Sequence, residues 1–270
     1  MLSRYLRVLR RHRFWILFLA ISLLASTAVI LWMQPRWVID NLSEAICPDA
    51  LYSVQTDQPL VALTVDDGPD DQHRGAANTT QKILDVLAQH QAKATFFLIS
   101  SRISAQNREL IAQMVRQGHE LGNHLTMDEP SINLPLPQFT AALKQAEQEI
   151  LAAAQVPQGG SLRWLRPGGG RCNRGMTKIA NQQGYRMALG SLWPYDTSLP
   201  SSAFATQQIL ANVQPGSIIV LHDHGPQGEW GDRTVATLSQ VLPELKRRGY
   251  TLVTLTELSQ ALKIKQYSPK

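Results

Sequence analysis

Four polar clusters carry residue types that hydrolytic and metal chemistry use. The first is Thr64-Val65-Asp66-Asp67-Gly68-Pro69, which ends an apolar run with two adjacent carboxylates. Neighbouring carboxylates repel unless something positive sits between them. A bound cation would resolve this, with one Asp as ligand and the other free as a base. The same letters also suit a solvated turn. The second cluster runs from His119 to Asp128 and holds His124 and Asp128 four residues apart. That spacing brings both to one ion if the stretch is helical. Imidazole and carboxylate suit zinc and similar divalent metals. His119 reads instead as a local hydrogen-bonding residue. The third cluster, Trp164 to Asn173, places Arg166 directly after an apolar run, where two N–H donors could hold a carboxylate. Gly168, Gly169 and Gly170 follow, allowing close backbone approach by a ligand or forming a loose loop. The fourth is Leu221-His222-Asp223-His224 after Ile218-Ile219-Val220. A histidine at such an edge can act as a general acid or simply cap the strand.

Alternating elements must position these clusters. Leu60–Val65, Ala94–Ile99, a short segment ending at Asn123, Leu162–Leu165, Tyr185–Leu189, Ser217–His222 and Tyr250–Leu255 read as strands. Between them, 79–90, 103–117, 138–154, 175–183, 202–213 and 234–248 have helical spacing, with Gly118, Gly184 and Gly249 as stops. Repeated strand–helix units predict an α/β fold with a parallel sheet, open or closed into a barrel. Chemistry belongs at the C-terminal ends of such strands, where all four clusters lie.

The net charge of +5 is local. Arg4, Arg7, Arg10, Arg11 and Arg13 crowd residues 1–13, and the rest of the chain has 21 basic against 21 acidic residues. A neutral body offers no phosphate track, so nucleic acid is excluded as a partner. Residues 14–33 carry no charge. As a helix they span about 30 Å, the hydrocarbon thickness of a bilayer. Trp15 and Trp32 sit near the two ends, where interfacial aromatics belong. The expectation is a signal-anchor helix in the lipid bilayer, its basic tail cytoplasmic and the body outside. A cleaved signal peptide is the competing reading, with Ala25–Ala28 as a possible cleavage site. Residues 34–58 are expected to form a polar, irregular link, 59–263 the domain, and 264–270 a tail. Cys47 and Cys172 would face an oxidising compartment and could pair or remain thiols.

Joined in order, the clusters resemble the polysaccharide deacetylases, the NodB-homology domain or carbohydrate esterase family four, over about Leu60 to Leu258. The first motif matches with Val65 where Phe is usual. Gly118–His124 matches the lead into the second, Arg166-Pro167 with Gly170 and Asn173 the third, and Leu221-His222-Asp223 with Leu245–Leu255 the last. The resemblance implies an irregular (β/α) barrel of parallel strands. It implies Asp66 as general base, Arg166 as its orienting partner and His222 as general acid. It also implies one divalent metal ion, zinc or else cobalt, nickel or manganese, held by Asp67 and His124. Three departures stand out. Leu125 replaces a hydroxyl residue and Asp128 stands at the second metal-binding histidine, so the expected ligand set is Asp67, His124 and Asp128. The extra negative charge should raise the pKa of metal-bound water and favour harder ions. Gly168 and Gly169 replace Pro and an aromatic, opening the cleft. The family's Asp-Trp pair is missing, and Trp193 to Pro200 keeps one Asp, Asp196. Gly168, Gly169, Gly170, Trp193 and Asp196 are the expected substrate contacts.

The function so implied is hydrolysis of N-acetyl groups on an N-acetylglucosamine-containing glycan of the chitin or peptidoglycan type, outside the cytoplasmic membrane. A backbone N–H near Gly170 is the expected oxyanion donor. An O-acetyl esterase or other amidase would use the same groups. A degenerate, membrane-tethered glycan-binding protein is the alternative from a different class.

Overall fold

The computed structural model describes residues 2–70, 78–156, 159–224 and 229–261. It divides into two units between Pro35 and Arg36. The first is one helix, α1 (Leu2–Met33). Its His12–Ile30 stretch has a mean hydropathy of 2.0, long and apolar enough to cross a membrane.

The second unit opens with α2 (Arg36–Ile46). There follow β1 (Leu60–Gly68), α3 (Thr79–Gln89), β2 (Thr95–Leu98), α4 (Arg108–Arg116), β3 (Glu120–Asn123) and α5 (Leu136–Ala153). The chain continues through β4 (Trp164–Leu165), α6 (Arg174–Gln182), β5 (Arg186–Met187), α7 (Ser202–Asn212), β6 (Ile218–His222), α8 (Glu229–Arg247), β7 (Thr251–Val253) and α9 (Leu255–Gln260). The strands form one parallel sheet in the order β5-β4-β3-β2-β1-β6. β1 is central. Ala62 pairs with Ile218 of β6 on one edge and with Val253 of β7 on the other. Where β7 ends, β2 takes over that edge, beginning at Thr64–Thr95. The sheet curves into the expected irregular (β/α) barrel of parallel strands.

Side-chain alternation sorts β1 into two faces. Val61, Leu63 and Val65 pack into the cluster shared with the outer helices. Ala62 faces an inner cluster with Phe97, Trp164, Ala188 and Ile218. The next residues on that inner face are Thr64 and Asp66, so the strand delivers its carboxylate to the barrel mouth. The same alternation in β6 buries Ile219 and Leu221 outside and sends Ile218, Val220 and His222 inward.

Residues 34–58 do not form an irregular link. Beyond α2, Leu51 bridges Ala188 just past β5 and Ser53 bridges Ser217 just before β6. Tyr52 and Val54 are buried. The segment fills the seam between the sheet's two edges, because its apolar side chains gain more from that groove than from solvent. The expected last strand also stops early. Thr254 and Glu257 form a capping box that starts α9, whose Leu255 and Leu258 plug the barrel floor. The C-terminal tail lies outside the described residues.

Candidate active site

Four strand ends converge on a cleft of about 420 Å3. Asp66 and His222 are register partners on β1 and β6. Asp66 is 3% exposed, a costly place for a carboxylate without a partner. Arg166, just past β4, supplies one. Its Nη1 donates to Asp66 Oδ1 at 2.6 Å and to Thr64 Oγ1 at 2.7 Å. Its Nε donates to the Ala188 carbonyl at 2.9 Å, and its guanidinium stacks on the Phe97 ring at 4.2 Å. Those contacts fix the arginine, and the arginine fixes the Asp66 carboxylate.

Asp67 and His124 meet beside this pair, with His124 Nε2 3.3 Å from Asp67 Oδ1. The Arg166 carbonyl can only accept, so His124 Nδ1 carries the hydrogen at 2.7 Å and Nε2 is turned toward Asp67. Burial pushes the Asp67 carboxyl up, but the His124 hydrogen bond and the charges of His124, His222 and Arg102 hold it below its ordinary value. Burial opposes protonation of His124, and its bond to Asp67 and the charges of Asp66 and Asp67 raise it overall. The pair therefore attracts positive charge between Oδ1 and Nε2, the demand a divalent cation meets. These two donors fit such an ion in chemistry and orientation.

Asp128 lines the same cleft but is not gathered with them into a ligand group. The stretch after His124 is not helical. Leu125 takes a left-handed φ of 65° and turns the chain onto the 3-10 turn Ser100–Arg102. Ser100 and Ser101 N–H groups bond the carbonyls of Leu125 and Thr126 at 3.0 and 3.2 Å. Asp128 Oδ2 then accepts from Arg102 Nη2 at 2.7 Å. Among the described residues no three His, Cys, Asp or Glu side chains gather as a metal-ligand group.

His222 has its own support. Its Nδ1 lies 3.0 Å from Asp196 Oδ2, and its backbone N–H donates to the same oxygen at 2.9 Å. Arg233 donates to the Asp196 carbonyl, and Trp230 of α8 meets the imidazole edge-to-face at 5.9 Å. Burial works against the charged imidazole, but the Asp196 charge and hydrogen bond, with Asp66 and Asp67 behind, raise its pKa to about 9. Asp196, expected as a substrate contact, thus holds the candidate acid. Its 2% exposure leaves it no face toward the cleft mouth.

Gly169, Gly170 and Trp193 line the cleft, together with Trp230. Gly168 does not line it. A Cβ there would lie 2.2 Å from the Glu129 carbonyl, so glycine is needed for loop packing. The Gly170 N–H already donates to the Pro167 carbonyl at 3.1 Å and is not free as an oxyanion donor. Cys47 and Cys172 form a disulfide, which ties the end of α2 to this glycine loop. His119 accepts from the Ala94 N–H at 3.2 Å on the opposite end of β3, a structural role as its position suggested. Trp230 was missed because the helical spacing was placed from Thr234, whereas α8 begins at Glu229.

A polysaccharide deacetylase profile matches residues 53–188, and with the four motif ends gathered in one cleft this decides the family. The chain belongs to the polysaccharide deacetylase family. It is a hydrolase of the class acting on carbon–nitrogen bonds other than peptide bonds. A peptidoglycan-N-acetylglucosamine deacetylase of Bacillus cereus is 34% identical over 216 residues, covering 77% of this chain and 91% of its own. The crystal structure of a peptidoglycan N-acetylglucosamine deacetylase superposes with a TM-score of 0.69 at 28% identity, over 80% of this chain and 94% of that one. A family 4 acetyl xylan esterase from Clostridium thermocellum, solved with a cobalt ion, gives a TM-score of 0.65 at 30% identity, over 74% of this chain and 90% of that one.

Proposed function

We propose that this deacetylase hydrolyses N-acetyl groups on an N-acetylglucosamine-containing glycan of the chitin or peptidoglycan type, outside the cytoplasmic membrane. The observation that carries the reading is the pairing of a clamped carboxylate, Asp66, with an imidazole opposite it, His222, whose pKa is raised to about 9. A base and an acid in one cleft, held by different partners, are what amide hydrolysis requires.

Asp66, oriented by Arg166, takes a proton from the attacking water. That oxygen adds to the acetyl carbonyl. His222, charged below its pKa, donates its Nε2 proton to the departing amine nitrogen as the C–N bond breaks. Acetate and the free amino sugar are the products, and Asp196 recovers a hydrogen-bonded neutral imidazole ready to reload. A divalent cation, zinc or else cobalt, nickel or manganese, would be held by Asp67 and His124 and supplies Lewis acidity toward the acetyl carbonyl and the water. Gly169, Gly170, Trp193 and Trp230 form walls against which a sugar ring can lie.

The basic tail and apolar α1 support a single-pass anchor with the N-terminus in the cytoplasm. The Cys47–Cys172 disulfide fits an oxidising compartment for the second unit. The likeness to an acetyl xylan esterase supports a second reading, O-acetyl hydrolysis by the same groups. Acetate release from N-acetylchitooligosaccharides, peptidoglycan and acetylated xylan separates the two. Amide substrates should be preferred, and release from xylan alone overturns the amidase reading.

A further inference from the structure

Asp128 lines the same cleft as Asp67 and His124, yet its carboxylate is taken by a cation of the protein itself. We propose that Arg102 is a positioning residue that withholds Asp128 from the divalent ion, leaving Asp67 and His124 as its only side-chain ligands among the described residues. This inference rests on the metal reading proposed above.

Three observations carry it. Arg102 is shared between the two loops that flank the ion position. One guanidinium nitrogen donates to the Asp67 carbonyl and the other to Asp128 Oδ2 at 2.7 Å. Its side chain is only 12% exposed while that of Asp128 is 60% exposed. The arginine is therefore the fixed partner and the aspartate the movable one. The loop carrying Asp128 is strapped to the turn beneath Arg102 by the backbone bonds of Ser100 and Ser101. Finally, Leu125 lies in left-handed space, so the stretch is not helical and the four-residue spacing does not by itself join Asp128 to His124 on one ion.

The electrostatics point the same way. Asp66 and Asp67 already stand together in a buried site, with Arg166 satisfying only the first. A third carboxylate left unpaired at the cleft would add repulsion, and pairing it with Arg102 removes that charge. The site so built binds a cation through two protein donors and keeps its other coordination positions open to water and substrate, as open metal sites do. It binds more weakly than a three-ligand site, and its affinity is set by the competition between Arg102 and the ion for one carboxylate.

The test is a double-mutant cycle on the full chain in detergent, using cobalt(II) alone as the probe. Dissociation constants come from chelator competition and coordination from the cobalt absorption spectrum. Asp128→Asn should bind cobalt within threefold of the wild type, with the same spectrum. Arg102→Gln should tighten binding at least tenfold and change the spectrum as Asp128 joins the ion. Arg102→Gln with Asp128→Asn should lose both the spectral change and most of the tightening, and Arg102→Lys, which keeps the cation, should resemble the wild type. A tenfold or greater loss in Asp128→Asn would make Asp128 a ligand and overturn the proposal. So would an unchanged affinity in Arg102→Gln. His124→Ala separates the underlying reading: if the wild type binds no more cobalt than His124→Ala, the metal site itself is refuted along with the positioning role of Arg102.

Discussion

Replacing Asp196 by Asn should move the basic limb of the pH–rate profile. Asp196 touches His222 twice, and burial alone would drive the imidazole below its ordinary 6.5. The rise from 6.5 to about 9 corresponds to about 3 kcal/mol favouring the charged ring, with Asp196 the foremost favourable partner. Asn can still accept the backbone N–H of His222, so the loop is retained while the charge is lost. At pH 7.5 a group with a pKa of 9 is roughly 97% protonated, and one at 6.5 or below is about a tenth protonated or less. kcat/KM at pH 7.5 should therefore fall by up to about tenfold, and the limb near pH 9 should shift down, with Asp66 and Asp67 still favouring the charged ring. Stability follows the same linkage. A histidine whose pKa is raised on folding contributes fully below 6.5, and the contribution disappears as pH rises through about 9. The variant should thus be less stable than the wild type at pH 6, with the gap closing by pH 10 in urea melts. A limb that stays near pH 9 in Asp196→Asn would refute the assignment of His222 as the acid held by Asp196.

Three further outcomes are expected. Arg166→Gln leaves Asp66 buried without its cationic partner and should cost about 3–5 kcal/mol in chemical denaturation, with acetate release lost. Reducing the Cys47–Cys172 bond frees a 125-residue loop, worth about 5 kcal/mol in the chain-entropy account, and calorimetry should show Tm lower by roughly 10–20 °C. Gly168→Ala drives a methyl group into the Glu129 carbonyl, and thermal melts should report a loss of about 1–3 kcal/mol.

Much of this was legible from the residues. The inner face of β1 reads Ala62, Thr64, Asp66, and simple alternation points the last of these at the barrel mouth. The apolar runs marked nearly every strand because strands buried on both faces need them. What stayed hidden depends on contacts between distant segments. The 34–58 stretch looks polar and irregular by itself, and only the seam between β5 and β6 gives its Tyr52 and Val54 a place to go. Asp196 was visible as an acid near the last motif, but its partner lies 26 residues onward, beyond any local pattern. Asp128 was expected from its spacing to His124 and from its place at the family's second metal-binding histidine, and the left-handed Leu125 removes the helix that the spacing assumed. The start of α9 could have been read, since Thr254 followed three residues later by Glu257 is a capping-box signature. The apolar letters of Tyr250–Leu255 masked it.

The most direct measurement is acetate release from an N-acetylated chitooligosaccharide by the full chain with added cobalt, comparing the wild type with Asp66→Asn. The two differ by one oxygen-for-nitrogen exchange, which removes the base while Arg166 keeps a hydrogen-bond acceptor. The account predicts steady release from the wild type and at least a thousandfold slower release from the variant, within the range that loss of a general base commands. Equal rates, or no release from either protein while both bind the sugar, would contradict it.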